Sequence, residues 1–101
     1  MALKAAFIFV APDADPQQHR KTVETPEVEL TAVAVNDYDE AVTVCKELLE
    51  EGIGAFELCG GFGHVGTARV VEAVGGQAAV GVVRFDNHPG LDFKSGDELF
   101  R

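Results

Sequence analysis

The stretch from Ala55 to Asp86 constrains the fold more than any other part of the chain. An apolar segment ends at Cys59 and breaks into a glycine-rich loop that runs from Gly60 to Gly66. An amphipathic segment and then a second apolar segment follow, and the latter ends in Arg84-Phe85-Asp86. This succession is typical of a β-loop-α-β unit whose loop opens the helix. The chain is therefore expected to fold around a parallel sheet.

Four segments have the pattern of strands. Lys4 to Ala11 is almost continuously apolar, as in a central strand that is covered on both faces. Val28 to Val35 begins with alternation, which favours an edge strand. The other two strands of the pattern are Gly54 to Cys59 and Ala78 to Phe85.

Three segments are predicted as helices. Asp15 and Pro16 carry the signal of a helix start, so a short polar helix is expected from Gln17 to Val23. The strongest pattern has Asp37 as N-cap, Glu40 completing a capping box and Gly52 as the stop; its apolar residues at helical spacing are Tyr38, Ala41, Val42, Cys45, Leu48 and Leu49. The third helix is expected from about His64 to Val74.

Together these elements predict an α/β fold with a small, parallel, four-stranded sheet in the flavodoxin-like or Rossmann-like order 2-1-3-4, with helices on both faces. Residues 1–86 would form the single α/β domain, and residues 87–101 a C-terminal tail. The tail should pack on its own or on a partner subunit. An open apolar edge at the fourth strand would also need to be covered, so the two features together predict a homodimer or higher homo-oligomer. The large apolar residues of the tail are Leu91, Phe93, Leu99 and Phe100.

Charge narrows the class of partner. The 101 residues carry 8 basic and 17 acidic side chains and a net charge of −9, which opposes binding to nucleic acid and to anionic membranes. The apolar N-terminal run continues into Pro12 without a cleavage site, so it is interpreted as a strand of a cytoplasmic protein and not as a signal peptide. Cys45 and Cys59 form no CxxC pair, and neither a disulfide framework nor a zinc knuckle is indicated.

In an open parallel sheet, ligands bind outside the carboxyl ends of the strands at the switch point of the strand order. The predicted order places Asp13 and the glycine-rich loop on opposite sides of one crevice. Gly61, Gly63 and Gly66 also spell GxGxxG, with Asp86 twenty residues beyond, as in dinucleotide sites. The short chain after Asp86 argues against a dinucleotide. The open alternatives are a smaller anion, held by Gly60, Gly61, Gly63 and His64 at the helix N-terminus, and a tight turn without a ligand.

Glu57 is unusual because it lies within an apolar strand. A buried carboxylate needs a partner, and Arg84 on the next strand is predicted to be level with it. The pair could be a structural ion pair or a subunit contact. Alternatively, Glu57 could be an acid or base with a raised pKa, which makes it a catalytic candidate.

His64 and Cys59 are the other catalytic candidates. A neutral imidazole in the first turn of a helix can polarise a carbonyl or bind a metal, but His64 could equally be a plain loop residue. Cys59, beside a helix N-terminus, could be a reactive thiolate or a small buried apolar side chain. The spacings of His and Asp match no recognised metal site, so none is predicted.

Over residues 2–86, and most specifically in ELCGGFG and VRFD, the chain resembles a family of small stand-alone bacterial and archaeal proteins classed as a domain of unknown function. The resemblance implies a compact α/β protein and no assigned activity or cofactor. The residues predict either a site for a small anionic or phosphorylated metabolite or a non-catalytic homo-oligomeric or regulatory module. Asp13, His64, Arg84 and Asp86 join the loop glycines as ligand-binding candidates.

Overall fold

The computed structural model describes residues 2–101. Its five strands are β1 (Leu3–Val10), β2 (Arg20–Glu24), β3 (Val28–Val35), β4 (Ala55–Leu58) and β5 (Ala79–Val82). Its α-helices are α1 (Tyr38–Glu50), α2 (His64–Val74) and a short α3 (Gly96–Leu99), which follows a 3₁₀ turn at Pro89–Leu91. The α/β class is confirmed.

All five strands form one mixed sheet in the order β2-β3-β1-β4-β5. The pairs β1–β3, β1–β4 and β4–β5 are parallel, whereas β2 is antiparallel to β3. The predicted sheet of four parallel strands in the order 2-1-3-4 is therefore wrong, because a fifth, antiparallel strand lies at one edge.

This additional strand is β2, and it replaces the predicted helix at Gln17–Val23. Asp15 does start a turn, since its carboxylate and its carbonyl accept N–H bonds from Gln17 and His19. The chain then extends and pairs with β3, and the hydroxyls of Thr22 and Thr31 meet at 2.9 Å. A segment with almost no apolar face gains little as a helix, whereas as a strand it satisfies the open hydrogen-bonding edge of β3.

Both long helices lie on the same face of the sheet, which corrects the prediction of helices on both faces. The connections β3–α1–β4 and β4–α2–β5 cross the sheet in the same direction, and crossovers of one hand then place their helices on one side. The connection from β1 to β3 runs the opposite way and would have put a helix on the other side. It contains β2 instead.

The core lies between the sheet and these two helices. From the strands it takes Ala6, Ile8, Val33, Val35, Phe56 and Leu58, and from the helices it takes Tyr38, Ala41, Val44, Cys45, Leu48, Val70 and Val74. Burial raises the pKa of the Cys45 thiol to about 12, so this cysteine is an apolar core group.

The opposite side of the sheet, here called the open face, carries the alternate residues of each strand. Register assigns to it Leu3, Ala5, Phe7 and Phe9 of β1, Val28, Leu30, Ala32 and Ala34 of β3, Lys21 and Val23 of β2, Ala55 and Glu57 of β4, and Ala79 and Gly81 of β5.

The predicted N-cap and C-terminal stop of α1 are present, but the predicted capping box is not formed. The Asp37 carboxylate accepts the Glu40 N–H at 2.9 Å, and Gly52 follows the helix at φ +96°. The Glu40 carboxylate reaches one residue further back than a capping box requires, to the Asn36 N–H at 2.6 Å. Helix α1 therefore begins where its sequence predicts.

Candidate functional site

The C-terminal tail packs against the glycine-rich loop and against the start of α1. Tyr38, at the first position of α1, is fully buried and stacks on Phe62 of the loop with ring centroids 5.5 Å apart. Phe100 of the tail packs against the same Tyr38 ring at 6.2 Å and is 7% exposed. The tail thus packs on its own chain, although Phe93 and Leu99 stay at least half exposed.

Asp97 of α3 occupies the N-terminus of α2. Its carboxylate accepts N–H bonds from Val65 at 3.0 Å and from Gly66 at 3.2 Å. The Tyr38 hydroxyl donates to the same carboxylate at 2.9 Å and accepts the Gly63 N–H at 2.9 Å. The chain's own anion therefore takes the position at which a ligand anion was predicted to bind.

Two opposing effects act on the pKa of Asp97. Burial by itself would raise it, but the bonds from the Val65 N–H, the Tyr38 hydroxyl and the Gly66 N–H together outweigh burial and hold the pKa below its ordinary value. Burial likewise raises the pKa of Tyr38, so its hydroxyl stays protonated and donates to the carboxylate. The cap is therefore a neutral phenol on an ionised carboxylate.

The loop glycines are needed for close packing within the protein. A Cβ at Gly63 would lie 2.3 Å from the carboxyl carbon of Asp97, and a Cβ at Gly60 would lie 2.0 Å from the Phe85 ring. Gly61 is covered by Val10 and by the backbone at Gly96. Of the three predicted ligand-binding glycines, Gly63 lines the cavity described below, and Gly60 and Gly61 do not.

The predicted crevice between Asp13 and the loop is not formed. Asp13 lies in an exposed turn at φ +65°, and its N–H donates to the Asn36 side chain at 2.7 Å on the β3 side of β1. The loop instead contacts Val10 and Cys59, whose thiol accepts N–H bonds from Val10 at 3.4 Å and Gly61 at 3.2 Å. Cys59 therefore holds the loop onto β1.

A cavity with a volume of about 230 Å³ lies between the glycine-rich loop, the first turn of α2 and the end of β5. It is here called the α2–β5 pocket. Its walls come from the loop, the first turn of α2, the residues that follow β5 and the start of the tail. They include Phe62, Gly63, His64, Thr67, Val82, Val83, Arg84, Phe85, Asp86 and Ser95. The carboxyl end of a parallel strand and the start of a helix thus meet at a cavity, as in many α/β ligand sites.

Three predicted ligand-binding side chains come together in this pocket, beside Gly63. The Arg84 Nε donates to Asp86 Oδ1 at 2.9 Å, and the Arg84 Nη2 lies 3.2 Å from His64 Nε2. His64 Nε2 lies 3.8 Å from Asp86 Oδ1. Each of the three side chains is about two-thirds exposed, so solvent screens their charges. Asp86 and His64 hold the guanidinium from two sides.

The predicted ion pair between Glu57 and Arg84 is absent, which is a correction. Register places Glu57 level with Gly81, three residues before Arg84, and on the open face. Glu57 is exposed there and needs no partner. The three catalytic candidates consequently lie apart: Glu57 on the open face, Cys59 under the loop and His64 at the pocket.

A comparison with protein-family models matches residues 3–98 to a family of unknown function, DUF6506. The chain belongs to this family. The predicted resemblance to a domain of unknown function is thereby confirmed. The searches of curated proteins and of solved structures found no match. Membership of this family therefore assigns no activity to the chain.

Two further features bear on the site. Across residues 2–101, no helix of this family member has the length and hydropathy of a membrane span. Over the same residues, His, Cys, Asp and Glu side chains form no group of three or more that could hold a metal ion.

The sequence predictions overlooked Asp97 and the partner that it finds in Tyr38. A signal was present: Ser95 and Glu98 form a capping box, with Ser95 accepting the Asp97 N–H and Glu98 accepting the Ser95 N–H. This pattern predicts a short helix in the tail. It does not predict that the helix lies against the start of α2.

Proposed function

We propose that this protein binds a small anionic metabolite in the α2–β5 pocket and does not change it chemically. The supporting observation is the Arg84 guanidinium, which is held between Asp86 and His64 beside a cavity with apolar walls. Two of its five N–H groups are engaged in these contacts. The rest suit a carboxylate or phosphate, which guanidinium binds in a planar, two-point geometry.

The size of the pocket limits the ligand. A volume of about 230 Å³ lies below the usual range for drug-sized ligands, so the occupant is a small molecule with one anionic group and a short apolar body. Phe62 and Val82 supply apolar wall, and Thr67 supplies a hydroxyl. Such a ligand has only about ten non-hydrogen atoms, and the Arg84 guanidinium that would bind it is exposed to solvent. We therefore expect a dissociation constant of about 0.1–1 mM.

The separation of Glu57, Cys59 and His64 favours binding over turnover. General acid–base and nucleophilic catalysis both require their groups within hydrogen-bonding reach of one another or of the reacting atoms. Here Glu57 is on the other face of the sheet and the Cys59 thiol is engaged by two backbone N–H groups. His64 alone of the three lines the pocket.

The first test is native mass spectrometry of the purified protein, because a bound mass beyond the polypeptide would give the ligand class directly. The second is an amide NMR titration with acetate, benzoate and inorganic phosphate. Benzoate should shift the amides of Thr67 and Val83 most, since it offers both a carboxylate and an apolar ring. Arg84→Gln should weaken binding at least fivefold, as expected for the loss of a charged hydrogen-bonding partner.

Arg69→Gln is the matched control, because Arg69 lies on the same helix as His64 but pairs with Asp39 of α1. Equal weakening by both substitutions, or unchanged binding in Arg84→Gln, would show that the pocket is not the site. Gly63→Ala is unsuitable as a test, because the added Cβ would meet Asp97 and disturb the fold.

A homo-oligomeric or regulatory module without a ligand is the second candidate. It is favoured by the tail, which packs on the glycine-rich loop and supplies the anion at the N-terminus of α2. A purified protein without bound mass that also shows no amide shifts with the three probes would favour this alternative over the first proposal.

A further inference from the structure

The open face is an apolar surface that the two long helices leave uncovered. Phe9 is 36% exposed, Leu3 51%, Val23 62% and Val28 37%. Phe7 and Phe9 stack beside each other along β1 at 6.3 Å. A sheet with one bare apolar face usually packs that face against a second layer, because exposed apolar patches of this extent favour association.

Charge is balanced on this face, although the protein as a whole is strongly acidic. Among the described strand residues assigned to the open face, only Lys21 and Glu57 are charged. The register places both in the same cross-strand row, Lys21–Ala32–Phe7–Glu57, with two apolar residues between them. When two copies stack, a cation and an anion on opposite sides of an apolar centre can each pair with the oppositely charged residue of the other copy.

The rows also alternate large and small side chains between the two central strands. Across β1 and β3, Phe7 is level with Ala32, Phe9 with Ala34, and Ala5 with Leu30. In each of these rows one strand carries the bulk and the other carries an alanine. Turning the sheet over about its strand direction places each large residue opposite a small one.

We propose that a second copy of this chain covers the open face, related by a two-fold axis that runs parallel to the strands between β1 and β3. This operation sets β1 of one copy over β3 of the other, so that Phe7 packs on Ala32 of the partner subunit. It also sets Lys21 over Glu57 of the partner subunit. Stacked sheets lie about 10 Å apart, which a lysine and a glutamate side chain together span.

A shallow hollow of about 300 Å³ lies where the Phe7 ring would enter. It is lined by Phe9, Gln18, His19, Arg20, Lys21 and Ala32. The hollow lies over Ala32 because this side chain is small, whereas Phe7 and Lys21 on either side of it in the same row are large. Phe7 and the hollow over Ala32 belong to the same row, as a self-complementary interface requires.

An in-plane two-fold axis that is perpendicular to the strands at the level of this row is disfavoured by the same residues. It would place β2 over β2 and β4 over β4, bringing Lys21 near its own copy and Glu57 near its own copy. Like charges that meet in a partly desolvated interface repel. The charges therefore select the axis parallel to the strands. This inference is independent of the α2–β5 pocket, which lies at the carboxyl ends of the strands on the helix side.

Charge exchange tests the arrangement. Lys21→Glu and Glu57→Lys each turn two attractive pairs into repulsive ones, so each should raise the dimer dissociation constant about tenfold in sedimentation velocity. The double variant reverses both charges and should return the constant to within about threefold of the wild type. Ala32→Trp fills the hollow and should raise it about 100-fold. All three substituted residues have exposed or half-buried side chains, and circular dichroism checks that the four variants fold.

Lys46→Glu and Glu47→Lys are the matched controls, because both residues are exposed on α1, away from the open face. Wild-type protein that keeps its 10.7 kDa mass up to about 0.5 mM overturns the proposal and leaves the face to a different partner. A dimer that is indifferent to the three open-face substitutions also overturns it, and locates the contact at the β5 edge or the tail. Failure of the double variant to recover would reject the parallel axis.

Discussion

At the scale of single residues, Tyr38 joins three elements with one side chain. Its ring stacks on Phe62 of the loop, and its hydroxyl receives the Gly63 N–H and donates to Asp97. Tyr38→Phe keeps the ring and removes both hydrogen bonds, leaving the buried Gly63 N–H without its acceptor. We expect a loss of about 1–3 kcal/mol in the free energy of unfolding, measured by urea titration.

A double-mutant cycle of Tyr38→Phe with Asp97→Asn measures how much of that loss depends on the carboxylate. The two side chains share a hydrogen bond of 2.9 Å, so their effects should be less than additive. Strict additivity would mean that Tyr38 stabilises the loop through Gly63 alone.

Asp97 gives the stability of the protein a dependence on pH. Because its pKa in the folded protein is lowered, the unfolded chain binds more protons, and stability rises with pH through the carboxyl range. This contribution is present above the ordinary carboxyl pKa and is lost as the pH falls through the lowered pKa of the folded state. Asp97→Asn should therefore cost about 1–2 kcal/mol at neutral pH and progressively less at about pH 3.

Asp92→Asn is the control for this pH dependence, because Asp92 is an exposed carboxylate in the same tail at φ +57°, which asparagine tolerates. Thermal unfolding across the pH range measures both variants. A difference between Asp97→Asn and wild type that stays constant down to pH 3 would contradict the role given to the ionised carboxylate.

At the scale of elements, the tail acts as a cap for α2 and as a cover for Tyr38. Deleting residues 95–101 removes the carboxylate from the Val65 and Gly66 N–H groups and uncovers the Tyr38 ring. We expect a loss of about 2–4 kcal/mol, with faster amide exchange in the first turn of α2 and in the loop. Hydrogen exchange with mass spectrometry measures this directly.

Deletion of the exposed Arg101 alone is the control for the truncation and should change neither quantity. The truncation also separates the tail from assembly, which the sequence had linked. If the interface is the open face, the shortened protein should still dimerise wherever it is folded. Loss of the dimer with unchanged amide exchange would assign the tail to the interface instead.

At the scale of the whole molecule, association and stability should be coupled. A dimer through the open face stabilises the folded chain by mass action, so the midpoint of thermal unfolding should rise with protein concentration. Each copy carries a net charge of −9, so added salt should screen repulsion between copies and strengthen the dimer. Differential scanning fluorimetry at about 5 and 500 µM, with and without about 0.5 M NaCl, tests both effects; a midpoint independent of concentration contradicts them.

Local patterns in the sequence were sufficient for the elements whose signals are contained within a few residues. The caps of α1 at Asp37 and Gly52, the start of α2 at His64, and the apolar strand at Leu3–Val10 all lie where periodicity and capping residues predict them. For the same reason the sequence brought His64, Arg84 and Asp86 into the list of candidates, since each follows a strand or opens a helix.

The sequence did not determine what depends on contacts between distant segments. Gln17–Val23 has a local helix-start signal, but its final conformation depends on the free edge of β3. Likewise, Glu57 faces away from Arg84 because strand register, and not residue type, sets which face a side chain occupies.

The glycine-rich loop shows the same division most clearly. Its sequence by itself determined that a strand would turn into a helix there. Only the tertiary structure decided what approaches it: the Asp97 carboxylate, the Phe85 ring and the Tyr38 hydroxyl. Free N–H groups at a helix start can donate to any well-placed anion. The residue that supplies this anion lies 31 residues further along the chain from Gly66.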